Sequence, residues 1–225
     1  MTMGEEFAGR EVLVFGASGA LGAGVAAAFA EAGALVTGAD RVVRPDAAID
    51  TIGHEMVDVT DEADIRGLFD NRPAPWAVIN TVGGFAPLRP LHEFDVAELV
   101  GQLELNLVTA AVITKHALRV MRESGEGRIV HTASRAAVMS EGSGFAYSVS
   151  KLGVLHLVAM AAREVRGTGI TVNCVVPSII DTPGNRAAMP NANYDAWPKV
   201  PDIARSYLYL ASPAAALVNG ATIPV

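Results

Sequence analysis

The run Glu11-Val-Leu-Val-Phe15 breaks abruptly at Gly16-Ala-Ser-Gly19-Ala-Leu-Gly22, and the small-residue stretch Ala20 to Ala32 follows, ended by Gly33. β-favouring residues, a glycine-rich break and a helix-periodic stretch spell strand, tight turn, helix. Glycines at such a break let the backbone turn sharply and a ligand come close, and the unpaired N–H groups at the helix start attract a pyrophosphate. The turn reads as the phosphate cradle of a dinucleotide site, with a purely structural glycine turn as the competing reading.

The rest of the chain keeps the same alternation. Ala34 to Asp40 reads as the second strand, and its terminal carboxylate stands eighteen residues beyond Gly22. An acid there accepts hydrogen bonds from both adenosine ribose hydroxyls and repels a 2′-phosphate, which favours NAD over NADP. Arg41 beside it could pair with that phosphate or stack on the adenine, and a solvated loop acid is the plain alternative for Asp40. A connector over Pro45 to Ile52 leads to a third strand, His54 to Asp58, and then to a helix from Asp61 to Asp70 with Thr60 as its N-cap. Trp76 to Asn80 is the fourth strand, leaving through Thr81-Val-Gly83-Gly-Phe85, where glycines suit either a closely passing cofactor or a simple turn.

Val96 to Arg122 predicts one long helix carrying Asn106 in an apolar neighbourhood; a buried asparagine needs partners, and capping a kink or holding a water in a proton path both answer. The fifth strand, Gly127 to Ser134, delivers Ser134 to its C-terminal end, where open parallel sheets bind ligands. After the helix Ala146 to Arg166, a β-branched strand from Ile170 to Val176 stops at Pro177. Ser178 to Val200 reads as a proline-rich loop over the substrate, Pro201 to Leu210 as the last helix, and Ala221 to Val225 as a short terminal strand. The pattern predicts an α/β fold spanning residues 1–225: a single-domain Rossmann fold with a doubly wound parallel sheet of about seven strands covered by helices on both faces.

Within the helix after Ser134, Tyr147-Ser-Val-Ser-Lys151 sets a phenol and an ammonium four residues apart on one face. A lysine beside a tyrosine favours the phenolate, so the pair suits general acid–base work. Other function classes recede. A net charge of -7 without a basic cluster argues against nucleic acid. The apolar half of the chain falls in short runs, none approaching a membrane span, and the five histidines show no ligand-like pair, so no metal site is expected. His131, inside a strand, reads as a core residue. The single cysteine, Cys174, and the absence of a secretory-type start predict a cytoplasmic, reducing setting.

Taken in order, Gly16 to Gly22, Asp58, Asn80 to Gly84, Asn106, Ser134, Tyr147 with Lys151, and Pro177 to Thr182 resemble the short-chain dehydrogenase/reductase family over nearly the whole chain. The resemblance implies that Tyr147 is the catalytic acid/base, that Ser134 orients and polarises the substrate oxygen, and that Lys151 lowers the tyrosine pKa and binds the nicotinamide ribose. Asn106 would hold a relay water. Around the phosphates it implies contacts from Gly16, Ser18, Gly19, Ala20, Leu21 and Gly22. Asp40, Arg41, Asp58 and Val59 would lie along the adenosine, and Asn80, Gly83, Pro177, Ile180 and Thr182 around the nicotinamide half. Phe15 and Ser178 depart from the family's usual Thr and Gly. The Gly-x-x-Gly-x-x-Gly turn, with Asp181 to Pro190 and Trp197, looks like a minority branch that includes dihydropteridine reductase.

The expected activity is reversible hydride transfer between NAD(P), NAD preferred, and a small carbonyl or alcohol. A pterin-type or quinonoid reductase is the rival within that chemistry, and a non-catalytic dinucleotide-sensing protein the rival outside it. Phe85, Met139, Tyr194 and Trp197 suggest a partly apolar substrate pocket, or plain packing. Arg135 meets either an acidic substrate group or Glu141. The apolar faces of the helices over 96–122 and 146–166 predict a homodimer or homotetramer.

Overall fold

Seven strands, all parallel, build one sheet in the order β3-β2-β1-β4-β5-β6-β7. The structure, a computed structural model, describes residues 6–42, 52–85, 89–139 and 144–225. The connector from Pro45 and Glu141 therefore lie largely or wholly outside the described residues. In chain order the elements are β1 (Glu11–Phe15), α1 (Ala20–Glu31), β2 (Leu35–Asp40), β3 (Ile52–Met56), α2 (Glu62–Asp70) and β4 (Ala77–Asn80). Then come α3 (Val96–Gln102), α4 (Thr109–Ser124), β5 (Glu126–Thr132), α5 (Ala136–Met139) and α6 (Phe145–Glu164). The chain closes with β6 (Gly169–Val176), α7 (Pro183–Ala188), α8 (Val200–Ala211) and β7 (Thr222–Pro224).

Alternation along the central strands feeds two cores. Leu13, Phe15, Val78, Ile129 and Val172 face α2, α4 and α6, where Ile65, Phe69, Ile113, Met121 and Val158 meet them. Val12, Val14, Ile79, Val130 and Val175 face α1 and α8, against Val25, Phe29, Ile203 and Tyr207. Strands buried on both faces explain why they read as nearly continuous apolar runs. The strand order reverses direction between β1 and β4, and at that point the two strand ends part and leave a crevice.

The structure corrects several local expectations. β3 is two residues earlier than expected because its register with β2 pairs Val36 with Ile52 and ends at Asp40 with Met56. The N-cap of α2 is Asp61, whose carboxylate accepts from Ala63 N at 2.7 Å, while the Thr60 hydroxyl is spent on Asp58. The long helix is interrupted by a π-helical turn, Leu103–Val108. The segment 178–200 is not all loop: Thr182 caps α7, Pro183 occupies its first turn, and a 3₁₀ turn covers Tyr194–Ala196.

By length and apolarity Val96–Ser124 and Phe145–Glu164 could each cross a bilayer, contrary to the expectation that no stretch would. In this fold one side of each packs on the sheet, through Ile113, Ala117 and Met121 and through Val154 and Val158. The other side turns Val96, Val100 and Val108, and Val149, Leu152 and Met160, outward.

Candidate active site

The crevice is walled first by the glycine turn. Gly16 has φ +82°, a conformation L side chains avoid, and a Cβ on Gly22 would fall 2.1 Å from Gly16 O. The turn and the first turn of α1 thus close on each other with no room for a methyl group. Helix α1 starts at Gly19 without a side-chain cap and without an acid in its first turn, so the N–H groups of Ala20, Leu21 and Gly22 point into the crevice mouth unspent. Such a cradle fits the pyrophosphate of a dinucleotide.

Asp40 closes the turn from the side. Its Oδ2 accepts from Ser18 N at 3.0 Å and its Oδ1 from Arg41 N at 2.7 Å, and the Ser18 hydroxyl donates to Val42 O. The acid expected to meet a ribose is therefore also the brace that ties β2 to the glycine turn, with lone pairs left on both oxygens. Asp58 lies two residues past β3; Thr60 donates to its Oδ1 from both N (2.9 Å) and Oγ1 (2.7 Å). Those bonds, and more weakly the charge of Arg41, hold its carboxyl below the usual range. Val59 is buried beside it in the core.

The exit of β4 forms the facing wall. Val82 N donates to Asn80 Oδ1 at 3.0 Å, and Thr81 Oγ1 donates to Phe15 O at 2.8 Å. Asn106, in the π turn, accepts from Gly84 N at 3.2 Å, and its amide lies 2.9 Å from both Gln102 Oε1 and Ser150 Oγ. A π turn widens the helix by one residue and re-aims the side chains within it. Here it brings Asn106 to the crevice wall, where Gly84, Gln102 and Ser150 bind its amide.

Ser134 follows β5 by two residues, half-buried, with its Oγ accepting from Ala136 N at 3.2 Å. Tyr147 and Lys151 project from α6 into the same mouth. Burial pushes the Tyr147 phenol above its ordinary value, and the Ser134 hydroxyl facing it partly offsets that rise. The expected depression of the phenol by Lys151 is not what this arrangement produces. The ammonium, 3% exposed, donates instead to Thr132 O at 3.0 Å, and burial lowers its own pKa from 10.5 to about 8.

The other expected residues divide. Phe85 comes to the site: its ring stands edge-on to Tyr147 with centroids 5.1 Å apart. Arg135 and Met139 are exposed beside Ser134, Arg135 tied by its N–H to Pro177 O at 3.0 Å. Tyr194 serves the loop itself, with its ring 5.0 Å from Trp197, its hydroxyl 3.2 Å from Met189 O, and Arg186 over its face. Ile180 packs toward the α1 core, and Thr182 Oγ1 accepts from Asn185 N at 3.2 Å while keeping its proton to donate. Sequence reasoning missed Thr132 and Ser150, which hold Lys151 and Asn106, and Asp181, which Arg186 and Lys199 clasp to zip the two ends of the 182–198 segment. Only Ser150 carried a local signal, lying between Tyr147 and Lys151.

These features define a dinucleotide-binding α/β oxidoreductase. The chain matches the family model described as enoyl-(acyl carrier protein) reductase over residues 16–225. It is 36% identical to cis-4-hydroxycyclohexanecarboxylate dehydrogenase of Sinomonas cyclohexanicum, across 99% of this chain and 97% of that protein. It is 30% identical to D-threitol dehydrogenase of Mycolicibacterium smegmatis, across 96% and 91%. A solved short-chain type dehydrogenase/reductase from Mycobacterium ulcerans superposes with a TM-score of 0.90 at 28% identity, across 98% of this chain and 89% of that one. The chain belongs to the short-chain dehydrogenase/reductase family and is an NAD(P)-dependent oxidoreductase of small molecules.

Proposed function

We propose that this oxidoreductase interconverts a secondary alcohol and its ketone, with Tyr147 moving the proton, Ser134 binding the substrate oxygen, and Lys151 and Asn106 completing the site. The observation that carries this reading is the meeting of four segments at one crevice mouth: the β4 exit, the π turn, the end of β5 and α6. The nicotinamide, when bound, accepts or supplies the hydride. In reduction, Ser134 and Tyr147 donate to the carbonyl oxygen, where negative charge grows, so donors already in place favour the transition state over the ground state. In oxidation the same oxygen, as the phenolate, takes the alcohol proton and becomes the phenol. Lys151, whose ammonium lies beside Gly83, would hold the ribose hydroxyls at the β4 exit.

Tyr147→Phe tests the assignment. It should lower kcat/KM by about 100- to 10,000-fold, the usual worth of a positioned acid or base, while the Kd for NAD(H) stays near that of the parent. Parent-level turnover in this variant would sink it.

NAD is the preferred cofactor in this reading, because the Asp40 carboxylate, pinned at the end of β2 by Ser18 and Arg41, repels a 2′-phosphate. Arg135 supplies a cation beside Ser134 with no carboxylate partner among the described residues. A hydroxy acid fits that cation, in keeping with the cyclic hydroxy acid in the name of the Sinomonas relative. The 178–200 segment covers the substrate, and the outward apolar faces of α3, α4 and α6 pair with a copy of themselves in a dimer or tetramer. The fully buried, unpaired Cys174 suits a cytoplasmic setting.

A further inference from the structure

His131 stands on β5 with no exposed surface, directly across from Asn80 in the register of β4 with β5. The hydrogens around it follow from counting donors. Val82 N–H can only donate, and it donates to the Asn80 side chain at 3.0 Å, so the amide oxygen faces Val82 and the NH2 faces His131. That NH2 lies 3.1 Å from Nδ1, so Nδ1 is the bare, accepting nitrogen. At the other end the Thr114 hydroxyl spends its single proton on Ala110 O at 2.7 Å, leaving its oxygen to accept from Nε2 at 2.8 Å. Both ends demand one tautomer, a neutral ring protonated on Nε2. Burial, and then the charge of Lys151, lower the His131 pKa to about 4, which keeps the ring neutral at pH 7.

The far end of this chain of bonds is functional ground. Val82 precedes Gly83, where a Cβ would lie 2.7 Å from Lys151 Nζ and 2.9 Å from Asn106 Oδ1. A small rotation of the β4 exit therefore carries backbone into the lysine and the asparagine. A protonated or reversed imidazole would set donor against donor at Asn80 and free the amide to flip, releasing Val82.

We propose that His131 is a positioning residue for the cofactor: as an Nε2–H imidazole it holds the Asn80 amide, and through it the Val82–Gly83 backbone, in the conformation that walls the dinucleotide crevice. The inference rests on that crevice receiving the dinucleotide, and its test separates the two. Asparagine at 131 places an acceptor where Nδ1 now lies, whereas glutamine reaches the Nε2 position, keeps Thr114 and forfeits Asn80.

His131→Asn should keep the Kd for NAD(H) within about three-fold of the parent, and His131→Gln should raise it about ten-fold, the cost of one unmade buried bond. Equal Kd values in the two variants, or losses that follow thermal stability rather than the acceptor, would overturn the proposal. Nitrogen-15 spectra of histidine-labelled parent protein, taken without cofactor, read the tautomer independently of variant folding and of cofactor binding. A His131 ring with bare Nδ1 and protonated Nε2 supports the proposal, and the reverse tautomer overturns it.

Discussion

Gly83→Ala tests how little slack the site contains. Gly83 is not among the residues with positive φ, so its backbone suits any residue and the position demands only room. A Cβ there would stand 2.7 Å from Lys151 Nζ and 2.9 Å from Asn106 Oδ1, where ordinary contact begins at 3.4 Å. The ammonium must withdraw by about 0.7 Å and the carboxamide by about 0.5 Å, because neither overlap is tolerable. Lys151 Nζ donates to Thr132 O at 3.0 Å. A retreat of about 0.7 Å, if directed away from Thr132, would stretch the bond to about 3.7 Å, outside hydrogen-bond range.

Losing a bond from a charged donor costs about 1.5–3 kcal/mol, and if the transition state feels all of it, kcat/KM falls about 10- to 100-fold. The assay is steady-state oxidation of secondary alcohols, run beside urea unfolding to confirm a folded protein. Gly84→Ala is the control: its Cβ would meet Leu105 Cδ2 at 2.7 Å, the free end of a flexible apolar side chain that can rotate away. That variant should stay within about three-fold of the parent, an off-rotamer leucine costing little. Parent-level kcat/KM in folded Gly83→Ala would refute the reasoning.

Two further outcomes follow from the same geometry. Lys151→Met should abolish turnover yet stabilise the fold at neutral pH, because a lysine lowered from 10.5 to about 8 by burial is a charge the folded state resists. Below pH 8 both states hold the proton and the cost is fully felt. From pH 8 to 10.5 the unfolded chain holds a proton the folded chain has released, so parent stability climbs. Measured by urea unfolding, the variant's advantage should shrink by about 2–3 kcal/mol between pH 7 and 10, and a constant advantage would count against the buried ammonium. Met160→Glu, on the outward stripe of α6, should shift the sedimentation of the parent oligomer toward monomer; unchanged sedimentation of a parent dimer would move the interface elsewhere.

The sheet was legible because its signals are local. Val12 to Phe15, Val78 to Asn80 and Ile170 to Val176 announce themselves by β-branched runs, and Gly16 by its break. The Ser134, Tyr147 and Lys151 set was legible by spacing and order. The π turn was not: Leu103-Glu-Leu-Asn-Leu-Val contains no proline or glycine to mark it, and the extra residue per turn is chosen by what Asn106 meets across the crevice at Gly84 and Ser150. The same holds for Asp40. Its position was readable, but its bond to Ser18 N joins residues far apart in sequence and depends on the register of β1 with β2. Thr60 and Asp61 show a finer limit: both are good caps, and the Asp58 carboxylate decided between them by taking the threonine hydroxyl.

Burial explains why the ionisable groups at this mouth all lean toward their uncharged forms. Tyr147 is pushed up, Lys151 down to about 8 and His131 down to about 4, each chiefly by desolvation. A dry site that disfavours standing charge makes each fixed donor worth more to charge that develops only during reaction. A protonated phenol is the form that gives a proton to a nascent alkoxide. Oxidation requires the phenolate, which Ser134 alone opposes burial to favour while the ammonium remains on Thr132 O.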